Sequence, residues 1–114
     1  RNERLVSLFR TADGPFAVVL VGAMLVSGIE TAWGGVEVPP HARRIMRRDW
    51  RGRGVHLARG QEMGRFNMGS TVIVLLPAAL GRFDPGLRVE QPVRMGERVG
   101  RRNPGHNVTA VDKL

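Results

Sequence analysis

The chain has 114 residues and a net charge of +8, and all but one of its 18 basic residues are arginine. That length suits one domain with a single modest core. The absence of cysteine excludes disulfides, thiol nucleophiles and thiolate-ligated metals, and the single lysine, Lys113, argues against an amine-based Schiff-base enzyme built on a core lysine. Hydrophobic residues make up 42% and aromatics 5%, so the expected core is aliphatic, and 15 glycines and 7 prolines cut the chain into short, turn-linked pieces.

In chain order, Arg4 to Phe9 reads as a strand that begins almost at once after Arg1, as in a segment cut from a longer protein. Thr11 to Pro15 is a turn by composition. Phe16 to Val21 is a continuous apolar run rich in β-branched residues, which predicts a strand buried on both faces; Gly22 breaks it and Met24 to Ile29 resumes. The fourteen residues from Phe16 to Ile29 fall short of the roughly 20 that a helix needs to cross a bilayer. They also lack the layout of a signal peptide, so any membrane association is expected to be peripheral. Gly34-Gly35 leads into the alternating strand Val36-Glu37-Val38, which Pro39-Pro40 ends.

Between Arg43 and Arg53 stand six arginines against one acid, Asp49, interrupted by Ile45, Met46 and Trp50. This run reads as a solvated loop or hairpin, as an anion-facing edge with Trp50 at a lipid–water interface, or as an RNA-binding arm, for which one Trp is poor support. Val55 to Ala58 and Arg65 to Leu76 are the next predicted strands. Arg59-Gly60-Gln61-Glu62-Met63-Gly64 resembles the later Arg94-Met95-Gly96-Glu97-Arg98-Val99-Gly100. Both read as tight turns that feed a strand, with glycine supplying positive φ at each end. The tail from Arg101 to Leu114 is polar and expected to be loose at its end. The predicted class is all-β, a small sandwich or barrel of short strands with Gly-rich turns, resembling the lipoyl-like barrel-sandwich.

Ser7 and Ser27 lie inside apolar strand patterns, whereas Ser70 follows Gly69 in the middle of the strand pattern Phe66 to Leu76. A glycine there reads as a β-bulge beside the Ser70–Thr71 hydroxyl pair, or as backbone geometry set aside for chemistry. His41, His56 and His106 lack metal-ligand spacing, and no metal site is visible. Glu30, at the end of the main apolar run, is expected to be a half-buried, hydrogen-bonded strand end. Asn107-Val108-Thr109 matches a glycosylation sequon of a kind that arises by chance. On residue pattern alone, a basic all-β module that binds nucleic acid or another anion without catalysis stays open. A lipoyl-type carrier is nearly eliminated, because it would need a lysine at a hairpin tip and the only lysine is Lys113.

Several segments together resemble bacterial phosphatidylserine decarboxylases of the self-processing type: Asn2-Glu3-Arg4, Leu8-Phe9, Gly14-Pro15, Val21 to Trp33, Pro39-Pro40 and Arg59 to Pro77 with its Gly69-Ser70-Thr71. The resemblance covers most of residues 1 to 100 and implies a piece of a larger α+β enzyme. It implies that the Gly69–Ser70 bond is cut by the protein itself. Residues 1–69 then end a β subunit and residues 70–114 form an α subunit from the same precursor. Ser70 would be the self-cleavage nucleophile and the precursor of a covalent pyruvoyl group that forms a Schiff base with phosphatidylserine, releasing CO₂ and phosphatidylethanolamine. A His and an Asp that assist the cleavage lie upstream in that family, in motifs this sequence does not contain. The expected setting is peripheral, on the anionic cytoplasmic face of the inner membrane, with no nucleic-acid partner.

Overall fold

A computed structural model describes residues 2–22, 28–38, 44–67 and 70–103. Among them lie eight strands and no helix: β1 (Arg4–Thr11), β2 (Gly14–Val21), β3 (Ile29–Thr31), β4 (Gly35–Val38), β5 (Gly64–Phe66), β6 (Thr71–Leu75), β7 (Gly81–Phe83) and β8 (Gly100–Arg102). They form three antiparallel sheets, ordered β1-β2-β6, β4-β3-β5 and β7-β8. The all-β expectation holds.

The long hairpin runs in register from Arg4–Val21 to Thr11–Gly14, leaving Ala12-Asp13 as its loop. The Thr11 hydroxyl fastens that loop by donating to the Gly14 carbonyl at 2.8 Å and accepting from the Asp13 N–H at 3.2 Å. Along β1 the period of two is plain, with Ser7 and Phe9 buried and Arg4, Val6, Leu8 and Arg10 exposed. β2 lies between β1 and β6 and buries Ala17, Val18 and Leu20, as its apolar run predicts.

Phe9, Val18, Leu20 and Ile29 form the buried core, with Phe16, Trp33, Val38, Leu57, Met63 and Phe66 packed around it. Ile29, 1% exposed, brings the β3 sheet onto the hairpin sheet. The centre is more aromatic than the composition suggested. Phe9 stacks on its cross-strand partner Phe16 at 5.0 Å between centroids, and Trp33 meets Phe9 edge-on at 5.8 Å. In the third sheet, Asp84 accepts from Arg98 at 3.0 Å and Arg101 at 3.4 Å, and the hydrogen bond from Arg98 holds its carboxyl below the usual range.

Three expectations need correction. Val55 to Ala58 is no strand: Val55 and Leu57 turn inward while His56 and Ala58 stay exposed, but no described strand lies alongside to pair with them. Arg65 to Leu76 is not one strand but β5 and β6, which belong to different sheets. Arg101 and Arg102 are not tail but part of β8, while residues 104–114 lie outside the described residues. Met24 to Ser27, the greater part of the resumed apolar run, lie outside them too.

The repeated turn is real, but its two glycines do different work. In both copies the first glycine has positive φ, +77° at Gly60 and +81° at Gly96. The residue after it closes the turn twice: the Gln61 N–H donates to the Ala58 carbonyl at 3.1 Å, and its side-chain oxygen accepts from the Ala58 N–H at 2.8 Å. Glu97 does the same to Arg94 at 3.0 and 2.8 Å. A third copy, Arg88 to Gln91, escapes the sequence pattern because Glu90 holds the positive φ, +62°, in place of glycine. The second glycines, Gly64 and Gly100, do not have positive φ; each opens a strand where its partner's backbone passes close, and a Cβ on Gly64 would stand 2.4 Å from the Glu30 carbonyl oxygen.

These two roles separate by substitution. Gly60→Ala places a side chain in open space at a left-handed φ and is expected to cost about 1 kcal/mol. Gly64→Ala must push two paired strands apart and is expected to cost about 2–3 kcal/mol. Thermal denaturation of the full-length protein should rank Gly64→Ala as the more damaging; equal or reversed midpoints would show that the close approach is not what selects glycine at position 64.

Candidate active site at Ser70

β2 and β6 pair in register from Ala17–Leu75 to Val21–Thr71. β3 and β5 pair from Ile29–Phe66 to Thr31–Gly64. The same two chain segments therefore form both ladders, but the register changes between them. From rung Val21–Thr71 to rung Ile29–Phe66, one arm contributes seven residues, 22–28, and the other only four, 67–70. Unequal arms cannot share one register, so among the described residues the pairing has an interruption between these two rungs, which belong to different sheets.

Ser70 stands in this interruption, one residue before β6 begins. It is exposed, and its hydroxyl donates to the carbonyl of Val21, the last residue of β2. The opposite end of the gap is closed by the Asn67 N–H, which donates to the Gly28 carbonyl at 3.3 Å. Gly28 has φ +104°, and a Cβ there would lie 2.4 Å from the Asn67 side-chain nitrogen, so the two chains are tightly apposed at that point. The sequence places Ser70 in mid-strand or at a β-bulge; the structure places it at a junction between sheets. Gly69 lies outside the described residues.

Chemically, a serine oxygen that donates one hydrogen bond keeps its lone pairs for attack on a carbonyl. Among the described residues the hydroxyl's one hydrogen bond is the one to Val21, and no described carboxylate or imidazole is bonded to it. His56 is exposed and lies in no strand, Ser7 is buried in β1, and Ser27, His41, His106 and Asn107 fall outside the described residues. Among the described residues no group of three His, Cys, Asp or Glu side chains is placed to hold a metal.

The neighbouring sheet carries an ionic network that the sequence shows only in part. Glu30, half-buried, meets its cross-strand partner Arg65 at 2.7 Å, as a hydrogen-bonded strand end should. Glu37 was not anticipated. It is 6% exposed, accepts from the Thr31 hydroxyl at 3.2 Å and from Arg48 at 2.8 Å, and so draws the arginine-rich loop onto β4. Within that loop Arg51 meets Asp49 at 2.6 Å, and the Arg53 guanidinium lies 5.6 Å from the centre of the Trp50 ring. Residues 44–50 have no regular structure, in keeping with the loop reading, and Ile45 and Met46 are exposed. No helix among the described residues is long and apolar enough to cross a membrane.

The fold and site thus define an all-β domain in which the one exposed serine among the described residues stands at a sheet junction, preceded by glycine. The sequence profile of the family described as phosphatidylserine decarboxylase matches residues 1–101, and the chain belongs to that family. A phosphatidylserine decarboxylase proenzyme of Xanthomonas axonopodis pv. citri (strain 306) is 57% identical over 102 residues, covering 90% of this chain and 36% of the relative. Proenzymes of the same name from Xanthomonas oryzae pv. oryzae (strain MAFF 311018) and Stenotrophomonas maltophilia (strain R551-3) are 55% and 54% identical, covering 92% and 89% of this chain and 37% and 36% of theirs. The chain therefore spans just over a third of the length of the curated relatives it matches. No solved structure matches it.

The arginine loop has a measurable signature. The hydrogen bonds from the Arg51 side chain and backbone lower the Asp49 pKa from 3.8 to about 2. A depressed carboxyl pKa means that the ion pair is fully formed above the ordinary range and is lost only as pH falls through about 2. A carboxyl NMR titration should find that midpoint for Asp49, and Arg51→Gln should return it towards 3.8; an unchanged midpoint in the variant would remove Arg51 as the cause.

Proposed function

We propose that the protein containing this chain is a phosphatidylserine decarboxylase that cuts its own Gly69–Ser70 bond and converts Ser70 into a covalent pyruvoyl group. The reaction is the conversion of phosphatidylserine to phosphatidylethanolamine and CO₂. One observation carries the reading: within the family match, the glycine-preceded Ser70 stands exposed where the ribbon is interrupted, with both flanks held by paired strands. The relatives' name, proenzyme, supports maturation by processing.

The residues fit such a group because the hydroxyl from which it would form is exposed and lies outside any ladder. Maturation would start with attack of the Ser70 Oγ on the Gly69 carbonyl carbon. The peptide C–N bond breaks as an ester C–O bond forms, and the nitrogen takes the proton. Loss of the Ser70 α-proton then expels residues 1–69 as a C-terminal carboxylate and leaves dehydroalanine, which water converts to the ketone with release of ammonia. Serine meets both demands, since the same oxygen attacks and later leaves. Gly69 presents no Cβ against that approach.

Once formed, the group supplies an electrophilic carbonyl for the substrate amine and a sink for the electrons left by departing CO₂. The chain's own contribution is positioning. β1 to β5 would fall in the β subunit and β6 to β8 in the α subunit, yet β6 keeps its five-residue pairing with β2. The new terminus at residue 70 would therefore stay anchored beside Val21 after cleavage. The net charge of +8 suits an anionic membrane surface, and we place the enzyme peripherally on the cytoplasmic face of the inner membrane.

Intact-mass analysis of the full-length protein tests the reading. Two chains separated between Gly69 and Ser70 are expected, the smaller lacking a free N-terminal amine and reacting with hydrazine. Ser70→Ala should remain a single chain with decarboxylation at background. An active wild-type protein that is uncut and carbonyl-free would overturn the proposal and leave the basic, non-catalytic anion-binding module standing.

A further inference from the structure

β6 is the most apolar strand of the fold after β2 and the least protected. Its sequence is Thr-Val-Ile-Val-Leu, and all five residues are exposed. It pairs with β2 on one side, and among the described residues no strand pairs with its other edge. Every second residue of such an edge directs its N–H and C=O away from the sheet.

One face of this sheet is also open. Cross-strand partners share a face, so the register aligns Val6–Val19–Ile73 and Leu8–Ala17–Leu75 as two adjacent rows. Val6 is 55% exposed, Leu8 69%, Ile73 44% and Leu75 55%. Arg4 and Arg10 bracket these rows along β1. On the other face, Val74 borders an apolar groove of about 400 Å³ shared with Phe16, Leu80, Phe83 and Val99. An apolar strand open at its edge and on both faces is a template for pairing.

We infer that this edge and the face bearing Val6, Leu8, Ile73 and Leu75 are the docking surface for the remainder of the parent polypeptide, which adds a β-strand to the free edge of β6. The occupant follows from two facts. The relatives are nearly three times as long as the stretch this chain matches, so in a parent of that length most of the polypeptide lies outside this chain. A membrane would satisfy the apolar face but not the edge, because lipid offers no partners for backbone N–H and C=O groups. Since Ser70 immediately precedes β6, the added strand would also fix what stands beside that hydroxyl.

Residue-resolved amide exchange on the full-length protein, as wild type and as Ser70→Ala, tests this. All five amides from Thr71 to Leu75 are expected to be protected by on the order of 100-fold or more. Protection should be independent of protein concentration, present without vesicles, and retained in a version ending at Asn103. Free exchange at alternate positions would overturn the inference, as would protection that needs high concentration (a second copy), vesicles (lipid) or residues 104–114 (this chain's own tail). As a second arm, Leu8→Arg with Ile73→Arg should abolish soluble full-length protein, while Val89→Arg with Met95→Arg, at exposed positions elsewhere, should not; equal yields would count against the surface. Exchange and cleavage read out separately. Protected amides in an uncut wild type would sink only the Ser70 proposal, and a cleaved protein with free alternate amides only this one.

Discussion

The difference in length between two chain arms governs this structure. Seven residues on one side and four on the other join the rung Val21–Thr71 to the rung Ile29–Phe66. A simple bulge adds one residue to one strand, whereas here one arm carries three more than the other, so the register on one side of the junction cannot be that on the other. The consequence is local and sharp. Both flanks remain hydrogen-bonded, while Ser70 lies in the short arm, outside either ladder. Chemistry on a peptide bond requires its carbonyl carbon to become tetrahedral, which a ladder at full pairing resists. The described pairing is intact on both sides of the short arm, which is why cutting that arm would not free the pieces from each other.

The rest of the molecule reads as an unfinished half of a packing problem. Six apolar residues are buried among the described ones, while fourteen large hydrophobics are exposed, including four of the five residues of β6. Single exposed apolar residues are ordinary, but contiguous rows are not. The buried set clusters where the hairpin sheet meets Ile29 and Trp33, whereas the longest exposed run, Val72 to Leu75, is on the strand that follows Ser70. Within one sheet, buried Val18 and Leu20 of β2 thus pair with exposed Val74 and Val72 of β6.

What the sequence revealed and what it hid follow one physical division. The β1–β2 hairpin was legible because its pattern, turn and pairing are all local. Glu30 was legible for the same reason, as a carboxylate closing an apolar run. Arg65 to Leu76 was misread because propensity reports how well each residue suits an extended backbone, and most of them do; the interruption comes from a register set by partners more than thirty residues away. Val55 to Ala58 shows the converse, with correct alternation and no partner. Glu37 was missed because Val36-Glu37-Val38 suggests valines inward, whereas Thr31 and Arg48 draw the carboxylate in and leave Val36 exposed. Ser70 itself was found through the resemblance of its surroundings to a family, since its own residue pattern favoured a plain bulge.

The hydrogen bond from Ser70 to Val21 sets the terms on which this serine can react. A neutral hydrogen bond of this kind contributes on the order of 1 kcal/mol, so releasing it is a minor part of any barrier. The larger demand is proton transfer, first from the hydroxyl and then from the α-carbon, and no described carboxylate or imidazole is bonded to Ser70 to meet it. The resemblance puts the groups that would do so upstream of this sequence. The free edge of β6 begins one residue from Ser70, so a strand laid along it would arrive beside the hydroxyl.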